Sequence, residues 1–403
     1  MYIMKSIVIS DLHIGQYWKS NNSRFSRARK IIQYLKKNLS MFLHYYGANT
    51  NLIIAGDVYD AVSANTEMLV YVANELTPIL SKFHHVYAIA GNHEVFIDRQ
   101  GQQQSLLTIG LQGSNVTIYD KGVYTNDDID DVYHYVFVPY QVNVDEIFMD
   151  DNFQQYLSNS KKNIIVAHMT PHEIFSFNKF KMNDFIDKYT SSTGEYNIPY
   201  ILLGHYHMVS MYKHNNTTVI SIGNTYYSSI LDIRAHEDVN KAKRFILINE
   251  DGAIGSGRLM LPIVKSYSII NQEDFDSKVD AIEKECADDS DKLAIYITSP
   301  ILIDYSRLMT NGYDVYFDLI EDKDNNNSPI LSLNEITDLN NIKDSIGGNT
   351  LQDRWNKYVT NITNISNTDR LLCNWLFSKR VDADLTGNAI IQKVKEVIME
   401  DHK

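Results

Sequence analysis

Cysteine is nearly absent: Cys286 and Cys373 are the only two in 403 residues. Thiols so far apart in the chain give neither a disulfide framework nor a thiolate metal site. The expectation is two ordinary thiols in a reducing compartment. An excess of basic charge is absent as well. The net charge of −13 excludes wholesale coating of nucleic acid, while leaving room for a local basic patch or a metal-mediated phosphate contact. No apolar run approaches the ~18 residues of a membrane-spanning helix, and no basic-then-apolar segment opens the chain. A soluble cytoplasmic protein is expected. What remains is the composition of an ordinary globular enzyme, 44% apolar, 22% charged and 11% aromatic, with a length that calls for two or three domains.

Short β-branched runs punctuate the first half, and they end alike. Ile7-Val8-Ile9 closes into Ser10-Asp11-Leu12-His13-Ile14-Gly15. Leu52-Ile53-Ile54-Ala55 runs into Gly56-Asp57-Val58-Tyr59-Asp60, and Val86 to Ala90 into Gly91-Asn92-His93-Glu94. Ile164 to Ala167 delivers His168, and Tyr200 to Leu203 delivers Gly204-His205-Tyr206-His207. Apolar runs of this length bounded by turns read as buried strands. Helical periodicity separates the first three: Phe25, Ala28, Ile31, Ile32, Leu35, Leu39, Phe42 and Leu43 predict a helix over about 23–46, and Leu69, Val72, Ala73, Leu76 and Leu80 a second. The resulting β-α-β series belongs to an α/β fold, in which ligands gather beyond the carboxyl ends of the strands. Residues 108–139 read as β-hairpin material, and 217–221 and 244–248 as closing strands.

Five strand ends thus present Asp11, His13, Asp57, Asn92, His168, His205 and His207. Carboxylate, amide oxygen and imidazole together suit a borderline divalent ion, Mn above all, with Fe, Zn or Mg as alternatives. The His-x-His pair favours two metals or one chelated metal. His172, four residues past His168, lacks a strand end and reads as a bystander. The first helix carries Arg24, Arg27, Arg29, Lys30, Lys36 and Lys37 on its polar face without an acid. Arg24, Arg27 and Lys30 are therefore candidate phosphate contacts.

Taken in order over about residues 1–260, these motifs resemble the calcineurin-like metallophosphoesterases. Ser-Asp-Leu-His-Ile-Gly, Gly-Asp-Val-Tyr-Asp, Ala-Gly-Asn-His-Glu and Gly-His-Tyr-His resemble in particular the SbcD-type nucleases, relatives of the meiotic recombination eleven nuclease. Asp60 resembles the bacterial and phage branch, where archaeal and eukaryotic members tend to carry His. Protein phosphatases continue that motif with Arg-Gly, where this chain has Ala61-Val62. The resemblance implies a sandwich of mixed β-sheets flanked by helices. It implies that Asp11, His13 and His207 hold one metal, that Asn92, His168 and His205 hold the other, and that Asp57 bridges them. His93 would then face the scissile phosphate as a proton donor, with Asp60 accepting from its other ring nitrogen. Two ions about 3.5–4 Å apart suit in-line displacement at phosphorus. The implied activity is Mn-dependent hydrolysis of DNA phosphodiesters in end processing, repair, recombination or replication. A phosphoesterase acting on a small molecule or phosphoprotein is the alternative.

The last third has a different texture. Residues 263–320 read β-α-β-α-β, a small cap that in the resembled family helps bind DNA, set after a nuclease domain over 1–262. Residues 321–349 begin with a polar run and read as a linker. In 350–403, Trp355, Tyr358, Trp375 and Leu376 recur at helical spacing. The resemblance makes these helices a docking site for the coiled coil of an SMC-like ATPase, with the chain a homodimer inside a heterotetramer. If the source is a phage, the expected location is the host cytoplasm.

Overall fold

The computed structural model describes residues 4–15, 23–60, 66–97, 103–105, 107, 111–141, 143–176, 178, 180–190, 196–227, 233, 243–287, 293–311 and 313–319. The expected linker and helical tail, with Trp355, Tyr358, Trp375 and Leu376, lie outside the described residues, as do Cys373 and the side chains of Arg24 and Arg27.

In chain order the strands are β1 (Lys5–Ile9), β2 (Thr50–Ile54), β3 (Val86–Ile89), β4 (Val95–Ile97), β5 (Gln103–Ser105), β6 (Val116–Tyr119), β7 (Tyr124–Asn126), β8 (Tyr133–Val138), β9 (Lys162–His168), β10 (Tyr200–Gly204), β11 (Ser210–His214), β12 (Thr217–Ser221), β13 (Arg244–Ile248), β14 (Ile254–Arg258), β15 (Ile263–Ser268), β16 (Leu293–Ser299) and β17 (Asp314–Leu319). The helices are α1 (Ser23–Tyr46), α2 (Thr66–Leu80), α3 (Val144–Met149), α4 (Met182–Thr190), α5 (Gln272–Cys286) and α6 (Ser306–Thr310). One mixed sheet runs β14-β13-β1-β2-β3-β6, a second β11-β12-β10-β9-β8-β7. In the first, β1, β2, β3 and β6 are parallel and β13 antiparallel; in the second, β8, β9, β10 and β12 are parallel.

The two-residue period of a strand explains the layering. Ile7 and Ile9, Leu52 and Ile54, Val86 and Ala88 turn to one face, where Ile31, Leu35 and Phe42 of α1 and Val72 and Leu76 of α2 cover them. Their neighbours Val8, Ile53 and Ile89 turn the other way and meet Tyr135, Phe137, Ile164, Val166 and Leu202 of the second sheet. On that sheet's far face Val136, Ile165 and Ile201 pack against Phe148 of α3, Phe153, and Phe185 and Ile186 of α4. The result is helix, sheet, sheet, helix. Each fully buried aliphatic side chain stabilises it by about 1.5–3 kcal/mol. This is the mixed α/β sandwich expected from the motifs.

Two pairings differ from expectation. Residues 116–119 and 133–138 are not hairpin partners. Val116–Tyr119 extends the first sheet alongside β3, and Tyr133–Val138 lies in the second, with β7 as its antiparallel neighbour. An apolar strand pattern tells that a segment is a strand but not which strand lies beside it: Val116–Tyr119 is half-buried at the end of one sheet, and Tyr133–Val138 is buried along its whole length in the other. Likewise 217–221 and 244–248 belong to different sheets, and each lies one strand in from the edge instead of closing it. Within the acidic run between β7 and β8, Asp127, Asp128 and Asp131 are exposed, while the Asp130 carboxylate accepts from the backbone N–H of Val132 and Tyr133 and from the Tyr135 hydroxyl.

Strands β15, β16 and β17 form a separate parallel sheet with α5 and α6, in the order read from the sequence. Val264, Ala294, Tyr296 and Tyr316 join the core beneath α1 and α2. The Tyr316 hydroxyl donates to the Tyr227 carbonyl at 2.8 Å and the Tyr226 hydroxyl to Asp314 Oδ2 at 2.9 Å. Residues 1–320 make one compact unit. Among the described residues, no helix is long and apolar enough to cross a membrane.

Candidate metal centre

The carboxyl ends of β1, β2, β3, β9 and β10 lie at one edge of the sandwich, and the turns that leave them are unusually tight. Asp11, His13, Asp57 and His205 adopt positive φ of 54°, 45°, 52° and 88°. Left-handed backbone at residues other than glycine costs about 1–3 kcal/mol each and persists where the surroundings enforce it. Here the enforcement is visible. Asp11 N–H donates to the Gly56 carbonyl at 3.0 Å and His13 N–H to the Asp57 carbonyl at 2.9 Å, lacing the first two turns together. Glycine makes the close approach possible: a Cβ on Gly56 would overlap the His168 ring, and one on Gly91 the Asp57 carboxylate.

Two clusters result. Asp11, His13, Asp57 and His207 form one; Asp57, His168 and His205 form the other. In the first, His13 Nε2 stands 2.8 Å from His207 Nε2 and 3.7 Å from Asp11 Oδ1 and Asp57 Oδ2. In the second, Asp57 Oδ2 lies 3.2 Å from His168 Nε2, and Asn92 Oδ1 is 3.1 Å from His168 Nε2 and 2.7 Å from His205 Nδ1. The carboxylates are pre-aimed. His205 N–H donates to both oxygens of Asp11 at 3.1 Å, and His93 N–H to Asp57 Oδ1 at 3.0 Å. That leaves Asp57 Oδ2 buried between the clusters with no backbone N–H on it, reached by His168 Nε2 at 3.2 Å and His13 Nε2 at 3.7 Å. A buried anionic oxygen needs a cationic partner: protonated rings supply one in the ion-free centre, and a divalent ion on either side would replace them. His168 Nδ1–H donates to the Ala55 carbonyl at 2.8 Å, which fixes the tautomer and leaves Nε2 as a ligand atom. The donor set therefore fits two ions sharing Asp57.

Burial alone would lower the His13 imidazole, but hydrogen bonds to Asp11 and Asp60 and the Asp57 charge hold it up at about 10. His168 is raised to about 9 against its own burial, mainly by Asp57. His205, buried and beside His168, falls to about 4. Burial opposes ionisation of Asp57, yet His168 and His13 hold it far below the usual carboxylate range. Without ions, protonated rings balance the acids. Metal ligation needs neutral rings, so binding must expel those protons. Apparent Mn affinity should therefore rise between about pH 6 and pH 8, by roughly tenfold per unit for each proton displaced. Calorimetric titration across that range checks this, and affinity independent of pH would contradict it.

His93 stands beside the clusters, its ring edge-on to His13 with centroids 4.8 Å apart. Its Nδ1–H donates to the backbone carbonyl of Asp60. This differs from expectation. The Asp60 carboxylate is 3.9 Å from His93 Nδ1 but 3.3 Å from His13 Nδ1, so it serves the ligand more closely than the proton donor. His172 instead donates from Nδ1 to the Asn178 carbonyl, away from the clusters. On α1, Lys36 pairs with Glu75 at 2.9 Å, Lys37 lies 4.3 Å over the Tyr34 ring and Arg29 6.0 Å from that of Tyr71, lining a groove of about 590 Å³.

Glu94 was given no role by its motif alone. It is fully buried and accepts backbone N–H groups from Asp57 at 3.2 Å, Tyr59 at 2.7 Å and Gly91 at 2.7 Å. It thereby staples the turn after β2 to the turn after β3. Burial, then the Asp57 charge, lifts it to about 8. The available signal was an acid directly before the apolar run Val95-Phe96-Ile97. Glu94→Gln would set an amide N–H₂ against a backbone N–H. It should cost about 1–3 kcal/mol of stability and weaken metal binding, read as a lower thermal midpoint and reduced Mn content. Unchanged values of both would contradict the stapling role.

A family model described as calcineurin-like phosphoesterase matches residues 4–209. No curated protein matches the chain. Among solved structures, an archaeal phosphodiesterase is similar at 12% identity, over 63% of this chain and 99% of that one, with a TM-score of 0.31. A phosphopantetheinyl hydrolase from Mycobacterium tuberculosis is similar at 12% identity, over 55% and 90%, with a TM-score of 0.30.

Proposed function

The chain belongs to the calcineurin-like phosphoesterase family and is a metal-dependent hydrolase of phosphate esters; from that premise we propose that it is a DNA nuclease of the SbcD type. The observation that carries the chemistry is Asp57 Oδ2, buried between two histidine clusters and within 3.2 Å of His168 Nε2 and 3.7 Å of His13 Nε2. We assign Asp11, His13 and His207 to one ion, Asn92, His168 and His205 to the other, and Asp57 to both, with Mn as the preferred metal. Bound there, the ions would polarise phosphate oxygens and make a water nucleophilic near neutral pH.

The chain's own residues do the rest. Asp11 and Asp57 are held by backbone N–H groups, so a phosphate meets a rigid site. His93 keeps Nδ1–H on the Asp60 carbonyl, so Nε2 is the atom left to face the leaving sugar oxygen, and it gives a proton there from the imidazolium form, which carries a hydrogen on both nitrogens. The ordered SbcD-like motifs, the cap sheet over 263–319 and the cations of α1 support DNA as substrate. Lys30, with Arg24 and Arg27, is our candidate for phosphate contact. Mn-loaded protein on labelled duplex DNA, set against nitrophenyl phosphodiester and phosphomonoester, tests the reading. Exclusive hydrolysis of the monoester would replace it with a phosphatase.

We further propose an SMC-like ATPase as partner to a homodimer of this chain, docked through Trp355, Tyr358, Trp375 and Leu376. Aromatic anchors dominate such interfaces, so Trp355→Ala or Trp375→Ala should weaken binding by about 2 kcal/mol at a hot spot. Truncation after Ile320 should keep Mn-dependent cleavage of simple ends while losing co-elution with the ATPase. Equal co-elution of full-length and truncated chains would sink the docking role.

A further inference from the structure

Among the ligands assigned to the first ion, His207 stands apart. The side chains of Asp11, His13 and Asp57 are at most 2% exposed, whereas that of His207 is 33% exposed. Dense packing fixes the first three. The His207 ring, with Nε2 2.8 Å from His13 Nε2 and 3.8 Å from Asp11 Oδ1, is held through its main chain instead. Ser221 Oγ lies 3.1 Å from both the Tyr206 and the Met208 carbonyl. The His207 carbonyl between them accepts from the Asn224 N–H at 3.2 Å and from Lys243 Nζ at 3.1 Å. The next residue, Thr225, donates its N–H to the Asp11 carbonyl at 3.3 Å, so one short segment ties together the main chains of two ligands.

Lys243 is the unusual member of this set. It is 4% exposed, and lysine is almost never buried unless its charge has acceptors. Strand β13 begins at Arg244 and runs antiparallel to β1, with Val8 opposite Ile246. Lys243 therefore stands at the edge where β1 ends and the ligand turns begin. A hydrogen bond from an ionised donor is about twice as strong as one from a neutral donor, so the ammonium is the stronger of the two anchors on the His207 carbonyl.

We propose that Lys243 is a positioning residue: its buried ammonium, on the His207 carbonyl, keeps the His207 imidazole beside Asp11 and His13 and so sets the affinity of their ion. The inference rests on the two-ion assignment above and adds a residue that is not itself a ligand. The effect should fall on one ion, because His207 belongs to the cluster of Asp11 and His13, while His168 and His205 belong to the other.

Lys243→Met keeps the length and the apolar stem of the side chain and removes the ammonium. Mn titration of the full-length protein, followed by calorimetry and by electron paramagnetic resonance, reads the ions apart, since a filled pair gives a spin-coupled signal and a single ion an isolated one. The wild type should show the pair. Lys243→Met should weaken one of the two ions by about 10–100-fold, the range for a residue that orients a ligand. It should give the isolated signal at Mn concentrations that fill the wild-type pair. Lys243→Arg, which keeps a cationic donor, should retain the pair. In a His207→Ala background Lys243→Met should add nothing, because the ring through which it acts is gone. Lys243→Gln takes the place of the methionine variant if that chain does not fold. A lower thermal midpoint with both ions retained, or a further loss of affinity in the His207→Ala background, would overturn the proposal and leave the two-ion assignment standing. A wild type that never binds a Mn pair would overturn that assignment and the proposal with it.

Discussion

Asp57→Asn should empty both metal sites together and abolish hydrolysis. The residue belongs to both clusters, and its Oδ2 is the one oxygen within 3.7 Å of His13 Nε2 and 3.2 Å of His168 Nε2. Asparagine keeps the size and can still accept from His93 N–H at Oδ1, so the fold should survive. What it loses is the anion, and it places an N–H₂ where an ion needs a lone pair. Loss of an outer-shell partner already costs ~10–100-fold in metal affinity or activity; loss of a shared ligand should cost more. The measurement is metal content by elemental analysis beside turnover of a nitrophenyl diester. One retained ion per chain would show that Asp57 serves a single site, and normal turnover would refute the assignment altogether. His205→Ala, by contrast, should deplete the site that includes His168 first.

The second large effect separates chemistry from ligation. His93→Asn should keep both ions and DNA binding while cleavage falls by about 10²–10⁴-fold, the range for removing a positioned proton donor. The geometry makes metal content the decisive readout, because His13, Asp60 and His93 lie close enough together to hold an ion themselves. Loss of metal in this variant would turn His93 into a ligand. Full metal with full activity would leave it without a role.

The strand ends were legible because each ends a β-branched run on an Asp, Asn or His, and the period of a strand fixes which residues turn inward. The helix over 23–46 was legible from its apolar stripe. Sheet membership was not: Val116–Tyr119 and Tyr133–Val138 are both short apolar strands close in the chain, yet they belong to different sheets. The acceptor for His93 was illegible for another reason. It is a backbone carbonyl, and every residue carries one, so the Asp60 side chain drew the attention while pointing nearer to His13. Glu94 escaped because a buried acid answered only by main-chain N–H groups leaves no complementary side chain in the sequence to pair it with.

The centre straddles a seam. Asp11, His13, Asp57 and Asn92 hang from the first sheet, His168, His205 and His207 from the second, and each cluster draws on both. How closely the ligands of each cluster approach across the seam therefore depends on the thickness of the sandwich, which is set by rings such as Tyr87, Tyr135 and Phe137 in its middle layer. Interiors packed as densely as crystals transmit small displacements instead of absorbing them. Those rings, none of them a candidate ligand, act as the spacer that sets the reach of the centre.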